Sequence, residues 1–127
     1  MITNGVSSMA EMKLGMLEAR FADIIWEKEP LTTKELVSIC EKELNWKRTT
    51  TYTVLKKLCD RGIFATKDSV ITSVISKDGF YAIQSEEFVK DNFHGSLPAF
   101  IAAFTTRNAL TREELEEVKK LVDSFGE

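Results

Sequence analysis

The sequence predicts a mostly α-helical protein with a small β-hairpin: a winged helix-turn-helix of three helices and a wing, followed by a helical domain. Before residue 62, apolar residues recur at steps of three and four in three successive segments, which is helical spacing. Two short β-branched segments, IFAT and VITSV, then follow. Helical spacing resumes at Ser76. We therefore divide the chain into a flexible arm (1–12), a winged helix-turn-helix (13–75) and a helical dimerisation domain (76–127).

The first two helices carry start signals at their amino ends. The segment LGMLEARFADIIWEK has Gly15 at the position of an N-cap and Glu18 three residues later, and it stops before Pro30. The next segment, LTTKELVSICEKEL, contains Thr32 and Glu35 at the spacing of a capping box. Both segments are therefore expected to be amphipathic helices.

The third helix is predicted from Lys47 to Arg61, and Gly62 is expected to end it in the left-handed region. Together with the second helix it forms the helix-turn-helix. The polar residues Lys67-Asp68-Ser69 separate the two β-branched segments, so an antiparallel hairpin is expected there as the wing.

Three more helices are expected in the carboxyl-terminal part. Ser76 can cap a helix to about Asn92, Ser96 can cap LPAFIAAFTTR, and Thr111 with Glu114 forms a capping box before the last helix. These helices are rich in Phe and Leu but too few for a core of their own, so we expect a homodimer that buries their apolar faces. The residues assigned to this interface are Phe93, Leu97, Phe100, Ile101, Phe104, Leu115, Val118, Leu121 and Val122.

Charge is distributed unevenly along the chain. The net charge is −3, yet residues 45–68 contain six Lys or Arg and only two Asp. Any site for a polyanion should therefore be local to this segment.

The composition argues against catalysis and cofactor binding. His94 is the only histidine, Cys40 and Cys59 lack the spacing of a metal site or redox motif, and no glycine-rich phosphate loop is present. The run EELEE at 113–117 fits a solvated helix face. We expect no enzyme, no cofactor and no metal. A cytoplasmic location without membrane insertion is expected, because no apolar run is long enough to span a bilayer and no signal peptide is evident.

The outer face of the third helix is the candidate DNA-binding surface. Opposite its apolar stripe lie Thr49, Thr53 and Lys56, with Tyr52 at the edge. Lys47 and Arg48 lie at the amino end, the part of a recognition helix that usually meets the major groove. The wing would place Lys67 near the DNA backbone. The alternative is a winged-helix module that binds a protein partner and presents a solvated basic face.

Several segments resemble a known family. They are Leu14 with Glu18, IIWEKEPLTTKEL (24–36), Trp46, TTTYTVLKKLCDRG (49–62), ISKDGFYAIQSEEFVKDNFHGSLPAFIAAF (75–104) and LTREELEEVKKLVD (110–123). In this order they resemble the penicillinase and methicillin-resistance repressors and the related copper-responsive repressors (the BlaI/MecI/CopY family). The resemblance covers nearly the whole chain from residue 14.

The resemblance implies a homodimeric transcriptional repressor on a palindromic operator in double-stranded DNA, with interlocking carboxyl-terminal helices. Carried over by position, the residues that read the major groove are Arg48, Thr49, Thr50, Tyr52, Thr53 and Lys56, with Lys47 on phosphate.

Three departures from the family pattern stand out. The β-lactam branch is inactivated at an Asn-Phe bond, which implies a membrane-bound sensor protease as a partner; the matching positions here are Ala103 and Phe104. The copper branch has carboxyl-terminal Cys-x-Cys pairs, whereas no cysteine follows Cys59, so metal sensing by that device is not expected. The wing is short and has little basic charge, which lowers the expected non-specific affinity.

Overall fold

A computed structural model of the protein describes residues 14–125; the arm expected over residues 1–12 lies outside them. The chain divides into two compact units, one extending through Glu87 and the other beginning at Phe88. In chain order the elements are α1 (Met16–Lys28), β1 (Leu31–Thr32), α2 (Thr33–Leu44), α3 (Arg48–Asp60), β2 (Phe64–Lys67), β3 (Val70–Ser73), α4 (Lys77–Phe93), α5 (Leu97–Arg107) and α6 (Arg112–Phe125). The protein is therefore mostly helical with a small antiparallel sheet, as predicted.

The core of the first unit is built from the apolar stripes of α1, α2 and α3 and from the sheet. Its fully buried members include Phe21, Leu36, Leu58 and Ile71. Trp26 and Trp46 are partly buried and pack against this core. The helical spacing of the sequence thus produces one contiguous apolar centre beneath α3.

The capping signals are confirmed. The Gly15 N–H donates to Glu18 Oε1 at 3.1 Å. Thr32 Oγ1 accepts from the Glu35 N–H at 3.1 Å, and the Thr32 N–H donates back to Glu35 Oε1 at 2.8 Å. Gly62 follows α3 with φ +81°, the left-handed geometry that was expected there. These contacts fix where α1 and α2 begin and where the chain leaves α3.

The sheet has three strands, one more than the sequence predicted. β1 pairs with β3, and the sheet order is β1-β3-β2. β1 has only two residues, so no alternation of polar and apolar residues can reveal it in the sequence. It is a strand because it pairs with β3, which is a tertiary contact. The wing turn also differs: Lys67 is the last residue of β2, and only Asp68 and Ser69 form the turn, both with positive φ.

The start of α4 belongs to the first unit. Phe80 is fully buried in its core, the Trp26 Nε1–H donates to the Ile75 carbonyl at 3.0 Å, and Lys77 pairs with Asp23 at 3.0 Å. The first compact unit therefore extends beyond residue 75, where the sequence placed the boundary, because an aromatic anchor lies in the helix that follows.

The second unit contains the end of α4 together with α5 and α6. Ser96 Oγ accepts from the Ala99 N–H, and Thr111 with Glu114 forms the predicted capping box. Neither α5 nor α6 has a buried residue. Within residues 14–125, no helix is both long enough and apolar enough to cross a membrane.

Candidate nucleic-acid interface

Helix α3 has one buried face and one exposed face. Thr51, Leu55 and Leu58 are buried, whereas Thr49, Thr50, Thr53 and Lys56 are exposed, and Tyr52 has 37% of its surface exposed. The apolar stripe of α3 packs against the core, so the polar residues on the opposite side of the helix face outward. The structure thus places on the outer face the α3 residues that the sequence assigned to DNA contact.

Positive charge concentrates at the amino end of α3. Lys47 is the N-cap, Arg48 is the first helical residue, both are exposed, and the first turn contains no acidic residue. Unpaired backbone N–H groups and the helix dipole add partial positive charge at the same end. The arrangement suits an anion such as a DNA phosphate.

Arg48 lies against a ring of the same face. Its guanidinium carbon is 5.6 Å from the centroid of the Tyr52 ring, a cation–π distance. The pKa of Tyr52 is lowered, chiefly by a hydrogen bond with the Thr33 side chain and further by the charge of Arg48. Arg48 and Tyr52 therefore form a cation–aromatic pair at the amino end of the exposed face.

At the carboxyl end of α3 the cations are paired with carboxylates. Lys56 Nζ lies 2.9 Å from Asp60 Oδ2, Lys57 Nζ lies 2.6 Å from Glu18 Oε2, and the Arg61 guanidinium lies 3.9 Å from Glu18 Oε1. The hydrogen bond from Lys57 is the main cause that lowers the pKa of Glu18. The positive net charge of residues 45–68 does not reveal these pairs with Glu18, because a carboxylate from α1 reaches the cations only in the fold.

Two of the four threonine hydroxyls of α3, those of Thr51 and Thr53, donate to carbonyl groups one turn earlier. Thr53 Oγ1 donates to the Thr49 carbonyl at 2.9 Å, and Thr51 Oγ1 donates to the Lys47 carbonyl at 3.3 Å. Such a bond uses the only hydroxyl proton. Thr53 therefore offers a ligand its methyl group and hydroxyl lone pairs, which suits a thymine methyl or a base-amine donor.

The wing contributes one cation and is joined to α2. Lys67 is exposed at the end of β2, beside Asp68. The Thr33 N–H donates to the Ser69 carbonyl at 2.9 Å, which ties the wing turn to the first residue of α2. The sequence does not predict this bond, because it depends on the unpredicted strand β1.

The environments of Cys40 and His94 do not form a reactive or metal-binding site. Cys40 is buried, and burial raises the pKa of its thiol to about 11. His94 lies in the turn between α4 and α5 with φ 51°. Among residues 14–125 no group of three or more His, Cys, Asp or Glu side chains could hold a metal ion.

The second unit exposes many large apolar side chains. Leu97, Ile101, Phe104, Leu115, Leu121 and Val122 are exposed, whereas Phe93, Phe100 and Val118 are half-buried. The unpredicted Phe88 and Phe125 are exposed as well, and Phe125 reaches 81%. The rings of Phe93, Phe100 and Phe104 follow one another at 5.6 and 6.3 Å between centroids, and Ala103 is exposed beside the last of them. We use the name apolar surface for the exposed residues Phe88, Leu97, Ile101, Phe104, Leu115, Leu121, Val122 and Phe125.

Comparison with known proteins gives consistent matches over almost the same length. The family model described as "Penicillinase repressor" matches residues 14–124. The chain is 22% identical over 110 residues to the "Penicillinase repressor" of Bacillus licheniformis, covering 84% of this chain and 86% of the relative. It is 21% identical over 115 residues to the "Methicillin resistance regulatory protein MecI" of Staphylococcus aureus, covering 87% and 94%.

Proposed function

The chain belongs to the penicillinase repressor family, and we propose that it is a transcriptional repressor that binds a palindromic operator as a homodimer. The observation that carries the proposal is the division of α3 into a buried apolar stripe and an exposed face with Arg48, Tyr52 and Lys56. A repressor of this kind acts by occupying promoter DNA, so no catalytic site is needed.

The amino end of α3 would lie in the major groove. There Arg48 is able to donate two hydrogen bonds to guanine O6 and N7, while Lys47 neutralises a phosphate. Thr49, Thr50 and Thr53 would contact base edges or phosphates, and Lys67 would meet the backbone next to the groove. Since only a few cations contribute, the affinity for non-specific DNA should be modest.

The apolar surface of the second unit supports the homodimer. An exposed patch of this kind, on helices without a buried residue, marks an interaction surface in a soluble protein. A second copy presents the same surface, so a twofold-symmetric dimer covers both at once. Two half-sites are then bound by one molecule, which raises the effective concentration of the second DNA-binding unit.

Inactivation by proteolysis in α5 belongs to the same proposal, with a membrane-bound sensor protease as the partner. Ala103 and Phe104 are exposed in α5, and Phe104 is part of the apolar surface. A cut between them would divide the dimer-forming helices and lower operator affinity. Mass spectrometry of the protein from β-lactam-treated cells tests this: a fragment ending at Ala103 is expected, and intact protein together with induced target genes would contradict it.

A gel-shift titration with the full-length chain tests the DNA-binding proposal. The probe is a duplex that the wild-type protein selects from a random pool. The double change Arg48→Ala and Lys56→Ala should weaken binding at least tenfold, since a good bidentate base contact is worth about 1–3 kcal/mol. Lys119→Ala, in the second unit, is the matched control and should leave affinity within about twofold.

The same titration separates the repressor from the alternative winged-helix protein-interaction module. Failure of the wild-type chain to select any duplex would favour the alternative. Selection of a duplex that the double variant binds as tightly as the wild type would retain a DNA-binding protein but remove α3 as its recognition helix.

A further inference from the structure

Arg48 and Tyr52 lie one turn apart on the exposed face of α3. The guanidinium carbon of Arg48 lies over the Tyr52 ring, 5.6 Å from its centroid. Residues four positions apart are neighbours on a helix surface, so α3 alone brings the two side chains together. Arg48 is the first residue of α3, so the pair stands at the end of the helix that carries the unmatched positive charge.

The core fixes the backbone beneath Tyr52. The preceding residue, Thr51, and Leu55 on the next turn are buried, with 1% and 5% of their surfaces exposed. Tyr52 itself has 37% of its surface exposed, so most of it is covered by the protein. A tyrosine side chain has only two torsions, and ordering it costs little conformational entropy. Tyr52 therefore offers Arg48 a rigid aromatic face.

Two cations of the exposed face are held by different chemistry. Lys56 Nζ lies 2.9 Å from Asp60 Oδ2, a carboxylate that compensates its charge. Within residues 14–125 no ion pair involves Arg48, whose partner is an aromatic ring. A cation–π contact restrains a guanidinium and leaves its charge for a ligand, because the ring has no formal charge. Arg48 is therefore restrained but not compensated.

Restraint of Arg48 matters most for contact with a base. Fixing one rotamer of a long side chain at an interface costs roughly two- to twelvefold in affinity. A ring contact at an exposed site offsets about two- to fivefold of this before DNA arrives. A base edge accepts a guanidinium in one orientation, whereas a phosphate is met from many directions. The benefit of the ring should therefore appear in sequence recognition.

We propose, on the basis of the proposed repressor function, that Tyr52 is a positioning residue for operator recognition: its ring holds the Arg48 guanidinium ready for a guanine of the half-site. Tyr52 acts through Arg48 and does not read a base with its hydroxyl. Loss of the ring therefore lowers affinity for the preferred sequence. Binding to unrelated sequence depends on the number of phosphates neutralised and stays the same.

The experiment compares full-length variants on two probes: the duplex that the wild type selects from a random pool, and a scrambled duplex of equal length and composition. Tyr52→Leu and Tyr52→Gln replace the ring with an apolar and a polar side chain that both favour helix. Tyr52→Phe keeps the ring and removes the hydroxyl. Each change is made alone and together with Arg48→Ala, and the melting temperature of every variant is measured.

We expect Tyr52→Leu and Tyr52→Gln to lose about threefold affinity for the selected duplex and none for the scrambled one. Tyr52→Phe should recover most of that loss, because a ring remains under the guanidinium. In the Arg48→Ala background, removal of the ring should add no further loss, since both changes abolish the same contact.

A base analogue tests whether the pair serves one particular guanine. Each guanine of the selected duplex is replaced in turn by 7-deazaguanine, which lacks the N7 acceptor. One position should weaken binding by the wild type and leave Arg48→Ala unaffected. At that position the loss in Tyr52→Leu should be about threefold smaller than in the wild type. A purely structural role of Tyr52 would leave this difference at zero.

Other outcomes overturn the inference. Equal losses in Tyr52→Phe and Tyr52→Leu would make the hydroxyl a DNA contact. A further loss on removal of the ring in the Arg48→Ala background would mean that the ring contacts DNA by itself, and equal losses on both probes would remove its role in sequence recognition. If neither ring-free variant folds, Tyr52→Phe decides: a weaker response to 7-deazaguanine than in the wild type rules the inference out.

Failure of the inference is distinguishable from failure of the repressor proposal. If the wild type selects a duplex that Arg48→Ala binds as tightly, the inference is wrong and the protein still binds a specific DNA sequence. If the wild type selects no duplex, the repressor proposal fails first, and this inference fails with it.

Discussion

Glu18 is the residue that most alters the charge of the candidate DNA surface. Lys57 and Arg61 lie near the carboxyl end of α3, yet both pair with the Glu18 carboxylate. The positive charge that remains unmatched by these pairs is at the opposite end, on Lys47 and Arg48. On the proposed function, a residue in α1 would direct binding toward the amino end of α3, which is the end that enters the major groove in helix-turn-helix proteins.

Glu18→Gln should strengthen binding to scrambled DNA and steepen its salt dependence. Lys57 would lose its carboxylate partner and become available to a phosphate, and each added phosphate contact raises the slope of log K against log salt by about 1. Glu27→Gln, an exposed carboxylate further along α1, is the matched control and should change little. An unchanged salt slope in Glu18→Gln would show that Lys57 does not reach DNA.

The same variant has a predicted pH signature. The lowered pKa of Glu18 means that its pair stabilises the fold above the unfolded-state pKa of about 4.3 and that this contribution is lost as pH falls through the folded pKa. Because the pair is partly exposed, we expect Glu18→Gln to cost under about 1 kcal/mol at pH 7. Urea titrations should show that difference at pH 7 and none well below pH 4.

At the scale of elements, helix boundaries were predicted best because each depends on residues close in sequence. The capping boxes at Thr32 and Thr111 and the end of α3 at Gly62 lie where spacing and chemistry placed them. Strand β1 was not predicted, because two residues are too few to show the two-residue period of a strand. Its partner, β3, also lies about 40 residues away in sequence.

Thr32→Ala should destabilise the first unit by about 1 kcal/mol, the usual cost of losing an N-cap side chain. The Thr32 hydroxyl accepts the Glu35 N–H at 3.1 Å, and alanine would leave that donor without this partner. Lys34→Ala, an exposed change in the same helical turn, should stay within about 0.5 kcal/mol. Urea unfolding followed by tryptophan fluorescence measures both; equal stabilities would show that the cap contributes nothing.

At the scale of the whole molecule, the sequence placed basic and apolar surfaces in different halves of the chain, and the structure has them in different compact units. Most of the apolar surface could be predicted from spacing, because helices without a core of their own leave their apolar stripes exposed, whereas Phe88 and Phe125 were not predicted. The effective charge of α3 could not be predicted from its own residues, because Glu18 in another helix pairs with Lys57 and Arg61. Surfaces are predictable where one helix defines them and unpredictable where two helices meet.

The double change Leu115→Glu and Leu121→Glu should convert the dimer to a monomer. Both side chains are exposed on α6, and a second copy would have to bury the new charges without partners. Sedimentation equilibrium at micromolar concentration should give twice the chain mass for the wild type and for the Lys119→Gln control, and the single mass for the variant. A monomeric wild type would refute the dimer.

The central claim, that this protein binds a palindromic operator through α3, is tested most directly by hydroxyl-radical footprinting of the wild-type chain. The probe is the selected duplex, at several salt concentrations. We predict two protected half-sites related by a twofold axis, one helical turn or a multiple of it apart, with affinity falling steeply as salt rises. A single unsymmetrical protected patch, or protection that does not depend on salt, would contradict the account.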